Sequence, residues 1–370
     1  MKVLLIGGTG VLSKEITSLC IEKGFDVYLL NRGKNKNTFS DKVNFIKGDI
    51  RFPDKIKNKI CNFNFDVVVD FLTYDKEQLY KTLDLFIERC NQYIFISTAT
   101  VYSTENASEI IAENQTAITN FDWDYSRNKI ECEEVIKKKY KKRKSYFTIV
   151  RPYITYGTTR IPYAVISKSS QWTLIDRIIK NKPIIVWGNG ENFCTLTHTE
   201  DFAEGIVGLF NNKNAINQAF HITSDEFLTV NEVIAKIAAC VNKEPKLVYI
   251  SSENIEKEFP QYKGELTCDK KHSRRFDNSK LKKAVPNYSA NISFEEGIKK
   301  TIDYYNSNSF MKKIDKVWNW KVDILINKEY LREIKKGHFK KASKQILKLK
   351  FLILMYKITR KIKIYLKGEK

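Results

Sequence analysis

Tyr125 and Lys129, in the run YSRNK, lie four residues apart and so share one face of a helix. A phenol ionises at about 10, too high for base work at neutral pH, but a neighbouring ammonium favours the phenolate. Such a pair can pass a proton to or from an alcohol. The run Ser97-Thr98-Ala99-Thr100-Val101-Tyr102 follows the apolar stretch YIFIS. A hydroxyl at that point can hydrogen-bond a reacting carbonyl or alkoxide. Thr98 is the first choice for that role and Ser97 the alternative. Taken alone, Tyr-x-x-x-Lys is equally at home on an ordinary surface helix. Its force comes from the residues before it.

Those residues are Gly7-Gly8-Thr9-Gly10, which follow the apolar run KVLLI and open an amphipathic one. Glycines at a strand-to-helix turn let backbone N–H groups approach a pyrophosphate, and the helix N-terminus adds donors and a favourable dipole. Gly7, Thr9, Gly10, Val11 and Leu12 are therefore assigned to a dinucleotide. Ser13, at the third position of the glycine pattern, is small enough for close helix–strand packing. Asn31-Arg32 and then Lys34 end the second apolar run. Asn31 can hydrogen-bond a ribose, while Arg32 suits a 2′-phosphate or the face of adenine, which leaves NAD and NADP both open. Asp49 can accept from an adenine amino group with Ile50 against the ring; a plain turn or cap aspartate is the alternative. Phe71, Leu72 and Thr73, at the close of DVVVDF, complete the cofactor set.

The elements that must position these groups are legible over the first 150 residues. Strands are expected at Lys2–Gly7, Asp26–Leu30, Val43–Lys47, Asp66–Phe71, Tyr93–Ser97 and Phe147–Arg151, with helices at Lys14–Lys23, Lys76–Cys90 and Tyr125–Lys139 between them. Near-continuous apolar strands alternating with helices imply an α/β fold, a doubly wound parallel sheet with helices on both faces. After Arg151 the regularity loosens. Helical patterns at Ser170–Lys180, Asp201–Phe210, Val230–Cys240 and Ser293–Tyr305 fit a smaller, interleaved second domain. The expected organisation is 1–151 for cofactor binding with returns from about 195–225, 152–306 for substrate, and 307–370 as a basic helical tail.

GGTG, STATVY, YSRNK and RPYITYG fall in the order and spacing of the extended short-chain dehydrogenase/reductases, and the chain resembles their NAD-dependent epimerase/dehydratase family over about residues 1–306. The later segments WGNGENFCTLTHTEDFAEG, FHITSDEFLTVNEV and RRFDNSKLKKAVPNY belong to the same resemblance. It implies a Rossmann-type fold, NAD as cofactor with NADP open, and a triad carried by Thr98, Tyr125 and Lys129. It also implies that Pro152 and Tyr153 lie beside the nicotinamide, and that the substrate is a nucleotide-diphosphate sugar held mainly by the C-terminal part of a homodimer's subunit.

Family dehydratases carry an Asp-Glu pair directly after the threonine, to protonate the leaving hydroxyl and remove the adjacent proton. Ala99-Thr100 stands there in this chain. Dehydration is thereby disfavoured, and epimerisation is placed ahead of simple reduction or dehydrogenation. Thr100, Tyr125, Arg274 and Arg275 are assigned to substrate, the arginines as candidates for the diphosphate, with surface or packing arginines as the alternative. Ile154 and Cys194 replace an asparagine and an arginine that the family often uses. His198, Asp201, His221, Trp172 and Trp187 are read as structural. Some family relatives with an Asn-Arg-Gly cofactor loop bind RNA, so a nucleic-acid-binding relative is the third reading. The intact Tyr125 and Lys129 weigh against it.

The net charge of +21, from 64 Lys and Arg and 43 Asp and Glu, is unevenly spread. Residues 311–370 hold 19 basic and 5 acidic residues, +14 of the total, leaving +7 for the first 310. From Lys340 onward basic and apolar residues interleave. On a helix, Leu347, Phe351, Leu354, Met355, Ile358, Ile362 and Tyr365 gather on one side, with Lys350, Lys357, Arg360, Lys361 and Lys367 largely opposite. Such a helix fits an anionic membrane surface or a partner; folding back on the body and nucleic acid are the alternatives. No run is long enough to span a bilayer, and MKVLLIGGTG reads as a buried strand rather than a signal peptide. Seven scattered cysteines and four scattered histidines argue for reduced thiols, no metal site and a cytoplasmic enzyme, with a peripheral place at the inner membrane face as an option.

Overall fold

Strand order in the main sheet of this computed structural model is Gln218–Ile222, Tyr146–Pro152, Cys90–Ile96, Phe65–Asp70, Lys2–Ile6, Asp26–Asn31, Asn44–Lys47, with all neighbours parallel. The structure describes residues 1–33, 39, 41–104, 110–114, 116, 118–141, 143–335 and 342–367. Lys34, Lys340 and the side chains of Tyr365 and Lys367 lie outside the described residues. The chain starts in mid-sheet and winds outward, then returns to lay Phe65–Asp70 on the other side of the first strand. Val3 therefore pairs with Val27 on one flank and Val67 on the other. Strand order reverses at that point, and a crevice opens at the carboxyl ends.

Alternation sends Val3, Leu5, Val67 and Val69 to one face, against Ile16, Cys20, Phe202 and Ile206. Leu4, Ile6, Val68 and Tyr93 go to the other, against Leu79, Leu83, Phe86 and Ile136. Because both faces are buried, the strands read as continuous apolar runs. One strand begins earlier than its apolar run: Cys90–Ile96 includes Gln92. That side chain is buried, donating to Thr148 Oγ1 at 2.8 Å and the Leu209 carbonyl at 2.9 Å, so a satisfied polar residue masks the strand's start. The helix expected to reach Cys90 accordingly stops at Phe86.

The chain divides into two compact units. The first comprises Met1–Pro162, Phe193–Phe227 and His272–Gly297 and holds the main sheet. The second comprises Tyr163–Asn192, Leu228–Lys271 and Ile298–Lys370. Within it, Ile184–Trp187 pairs in parallel with Leu247–Ile250. Trp172 stacks on Tyr305, and Trp187 packs on Tyr163 while donating to the Lys270 carbonyl at 2.9 Å. The helix Lys316–Lys335 belongs to this core rather than to a detached tail. Trp318, Val322 and Leu325 are buried, and Asp323 accepts from the buried Arg177 at 2.7 Å. The last helix, Ala342–Lys367, packs along it.

Candidate active site

The first strand ends in a turn that requires its glycines. Gly7 and Gly8 have φ of 120° and 78°, where side chains are disfavoured. A Cβ on Gly8 would stand 2.4 Å from Leu29 Cδ2. Gly10 precedes the helix Val11–Glu22 as an N-cap with no side chain to offer, and Ser13 Oγ accepts from Gly10 N at 2.9 Å. The first-turn N–H groups thus remain a site for an anion. Gly7 lies against Phe71 and Leu72, so the turn and the end of the fourth strand form one wall. Asp70 fixes that end by accepting from Leu72 N at 2.9 Å, Thr73 N at 3.1 Å and Tyr93 Oη at 2.7 Å.

At the second strand's end Asn31 Oδ1 accepts from Gly33 N at 2.8 Å, and Arg32 is exposed. Asp49 is paired with Arg51, 2.5 Å at the closest, and this hydrogen-bonded guanidinium holds its carboxyl down at about 2. Ile50 is buried against the core of the Leu4 face.

The helix Asp124–Tyr140 brings in the acid–base pair. Tyr125, in its first turn, is half-buried with its ring 5.1 Å from Trp123. One turn on, Lys129 is buried and donates to the Thr73 and Ile96 carbonyls, each at 2.8 Å. It lies over the Phe95 and Tyr74 rings. Burial lowers its pKa to about 8, against the partial support of nearby acids. Thr98 follows Ile96 by two residues and caps the short turn Ala99–Val101, accepting from Thr100 N at 3.3 Å. Its hydroxyl lies 3.2 Å from Thr100 Oγ1, which lies 2.8 Å from Ser126 Oγ. Lys129 thus joins the Thr73 turn to the strand that leads into Thr98.

Ser97 is differently engaged. Its hydroxyl donates to Glu133 Oε1 at 2.7 Å, and Glu133 is gripped by Arg151 through bonds of 2.9 and 2.6 Å. Burial alone would lower the Arg151 pKa, but the Glu133 carboxylate outweighs it and the net shift is upward. Arg151 also donates to Tyr102 Oη at 3.0 Å, and Tyr102 meets His221 Nδ1 at 3.3 Å. Ser126, Glu133, Arg151 and Asp70 were not singled out from sequence as site-builders. Glu133 follows Lys129 at the same four-residue spacing, the one signal that places it on that face.

Of the remaining positions, Pro152 is buried at its strand's end and Tyr153 packs on Phe276. Arg274 is buried and donates to the Ser103 carbonyl at 3.1 Å, beside the Thr98 segment. The Arg275 guanidinium lies over the Phe193 and Phe227 rings. His198 caps the helix Thr199–Gly208, and Asp201 accepts from the backbone of Asn291 and Ile292. His221 is buried between the Tyr102 and Phe276 rings, its Nε2 2.7 Å from the Asp277 carbonyl.

A parallel α/β sheet with a glycine turn at its reversal point and a Tyr/Lys helix at the same edge defines a dinucleotide-dependent enzyme class. The chain belongs to the NAD dependent epimerase/dehydratase family, whose model matches residues 3–223. It is similar to a chloroplast stem-loop binding protein of 41 kDa from Arabidopsis thaliana, 24% identical over 270 residues, covering 69% of this chain and 67% of that protein. It is also similar to a trifunctional UDP-glucose 4,6-dehydratase/UDP-4-keto-6-deoxy-D-glucose 3,5-epimerase/UDP-4-keto-L-rhamnose-reductase of the same plant, 21% identical over 335 residues. That match covers 83% of this chain but only 47% of the relative's length. Among solved structures, UDP-glucuronic acid 4-epimerase from Bacillus cereus in complex with NAD superposes with a TM-score of 0.65 at 18% identity, over 83% of this chain and 99% of that one.

The residues at the crevice fit such a cofactor. Gly7 and Gly8 hold positive φ values that keep side chains out of the turn and its backbone open to a pyrophosphate, and the buried Thr73 Oγ1 has no hydrogen-bond partner among the described residues.

Proposed function

We propose that the protein is an NAD(P)-dependent epimerase of a nucleotide-diphosphate sugar, acting as a homodimer. Gly7, Thr9, Gly10, Val11 and Leu12 would hold the pyrophosphate, and Asn31, Arg32, Asp49 and Ile50 the adenosine half. Phe71, Leu72, Thr73, Lys129, Pro152 and Tyr153 would hold the nicotinamide half. When bound, the cofactor would supply reversible hydride transfer at a carbinol carbon of the sugar. Tyr125 takes the hydroxyl proton as the carbonyl forms and gives it back as the alcohol is restored. The buried Lys129 ammonium favours the phenolate form of Tyr125. Thr98 donates a hydrogen bond to the reacting oxygen. Thr100, Arg274 and Arg275 serve the substrate.

One observation carries the choice of reaction. Directly after Thr98 stand a fully buried Ala99 and a Thr100 bonded to Ser126. Neither side chain can act as the acid and base that loss of water demands. Mass spectrometry of the denatured protein tests the reading, together with a panel of UDP- and dTDP-sugars assayed without added cofactor. Retained NAD and interconversion of two epimers are expected. Stoichiometric consumption of added NADPH would instead make it a reductase, a result the exposed Arg32 could accommodate.

The similarity to a stem-loop binding protein favours one second reading, an RNA-binding member of the same family. It predicts RNA retention that falls steeply with salt and survives Tyr125→Phe.

A further inference from the structure

The final helix, Ala342–Lys367, has two apolar faces, and among the described residues only one is packed. Leu352 is buried and Leu349, Ile353 and Tyr356 half-buried on the side that packs along Lys316–Lys335. Burial, with a smaller contribution from the Arg360 guanidinium, disfavours the charge of Lys321 on the neighbouring helix. The second face carries Leu347, Phe351, Leu354, Ile358 and Ile362, each between 42% and 71% exposed. At 1.5 Å per residue this stripe runs about 22 Å. Lys350, Lys357 and Lys361 are exposed along one edge of it. Across all 26 residues the helix has eight Lys and Arg and no Asp or Glu.

We propose that this stripe is a docking surface for an anionic lipid bilayer. The helix would lie in the plane of the headgroups, its stripe reaching the acyl boundary and the edge lysines meeting lipid phosphate and carboxylate groups. Charge complementarity selects this occupant. A second copy of the helix would bring eight further cations and no carboxylate to offset the first eight. Among the described residues, no helix is long and apolar enough to cross a membrane, so the contact is peripheral. The helix is pre-organised by its packing on Lys316–Lys335, so binding need not pay for folding it. The inference goes beyond the enzymatic reading and does not depend on it.

The test uses the full chain and vesicles of phosphatidylcholine alone or with about one-third phosphatidylserine, sedimented at low and high salt. Binding to the anionic vesicles alone, weakened by salt, is expected. The double variant Leu354→Gln/Ile358→Gln should lose about ten-fold or more in partitioning. Lys350→Gln/Lys357→Gln/Lys361→Gln should lose about five-fold per lysine. These side chains are exposed, so far-UV circular dichroism should be unchanged. Leu354→Trp gives an independent readout, a blue shift of emission on anionic vesicles. Wild-type chain left in the supernatant, stripe variants that sediment as wild type, or an unmoved tryptophan would each overturn the proposal. So would a dimer in solution that the stripe variant converts to monomer, or RNA retention that only the lysine variant loses.

Discussion

Lys129 Nζ donates to the Thr73 carbonyl at 2.8 Å and so ties the Tyr125 helix to the turn after the fourth strand. A second bond, to Ile96, ties the same ammonium to the strand leading into Thr98. One buried cation therefore joins the elements that carry the acid–base tyrosine, the cofactor wall and the hydroxyl. Lys129→Met should lower turnover by about 10²-fold or more. Lys129→Arg should not rescue it, because a planar guanidinium cannot reproduce a compact three-donor contact. The stability profile supplies a second readout. Burial lowers the folded-state pKa to about 8, while the unfolded chain keeps the proton to about 10.4. Between these values the unfolded state binds more protons, so stability rises with pH. Urea denaturation at pH 7.5 and 10 should show wild type gaining on the order of 2 kcal/mol relative to Lys129→Met. A flat difference would place the lysine in water.

Tyr125→Phe separates chemistry from binding. The ring keeps its contact with Trp123, so the fold and cofactor content should be unchanged. Epimerisation should fall by about 10²–10⁴-fold, since the phenolic hydroxyl is the only group removed. Wild-type turnover in this variant would remove Tyr125 from the mechanism.

How much of this could be read from the sequence depends on burial. Six of the seven main-sheet strands were visible because both faces are buried, which makes them near-continuous apolar runs; the edge strand Gln218–Ile222, with Gln218 and His221 among its five residues, was not. Gln92 hid the start of one strand because its partners, Thr148 and Leu209, come from distant parts of the chain. Gly7–Gly10, Tyr125 and Lys129 stood out as local patterns. Ser126 and Glu133 did not, since their meaning lies in Thr100 and Arg151. In the last helix, Leu347 and Phe351 lie on one face and Leu352 and Ile353 on another. Periodicity marks the Leu347 stripe; that the Leu352 side is the covered one follows only from packing on Lys316–Lys335.

Gly8→Ala tests the cofactor turn, and Gly24→Ala calibrates it. Both glycines have positive φ, 78° and 70°. Alanine at Gly24 meets nothing within 4 Å, so its cost is backbone strain alone, about 1 kcal/mol. Alanine at Gly8 adds a 2.4 Å clash with the buried Leu29, so its cost should reach about 2–4 kcal/mol. Retained cofactor should fall only in the Gly8 variant, as measured by absorbance after denaturation. Equal losses in both would mean that Leu29 gives way freely.

Glu133→Gln probes the support beneath Ser97 and Thr98. Glu133 and Arg151 are both almost wholly buried, and the carboxylate accepts two bonds from the guanidinium and one from Ser97. A neutral amide keeps the shape but leaves Arg151 with an uncompensated charge in a dry site. Breaking a buried pair by removing one partner costs about 3–5 kcal/mol, far more than the pair contributes relative to apolar residues of similar size. The single variant should therefore be strongly destabilised in urea. The double variant Glu133→Gln/Arg151→Met should recover a large part of that loss, because no charge is left unpaired. A double variant as unstable as the single would show that Arg151 acts through Tyr102 and His221 rather than through Glu133. Turnover in the double variant should stay low even where the fold recovers, since Ser97 and the Thr98 turn lose the carboxylate that anchors their strand end.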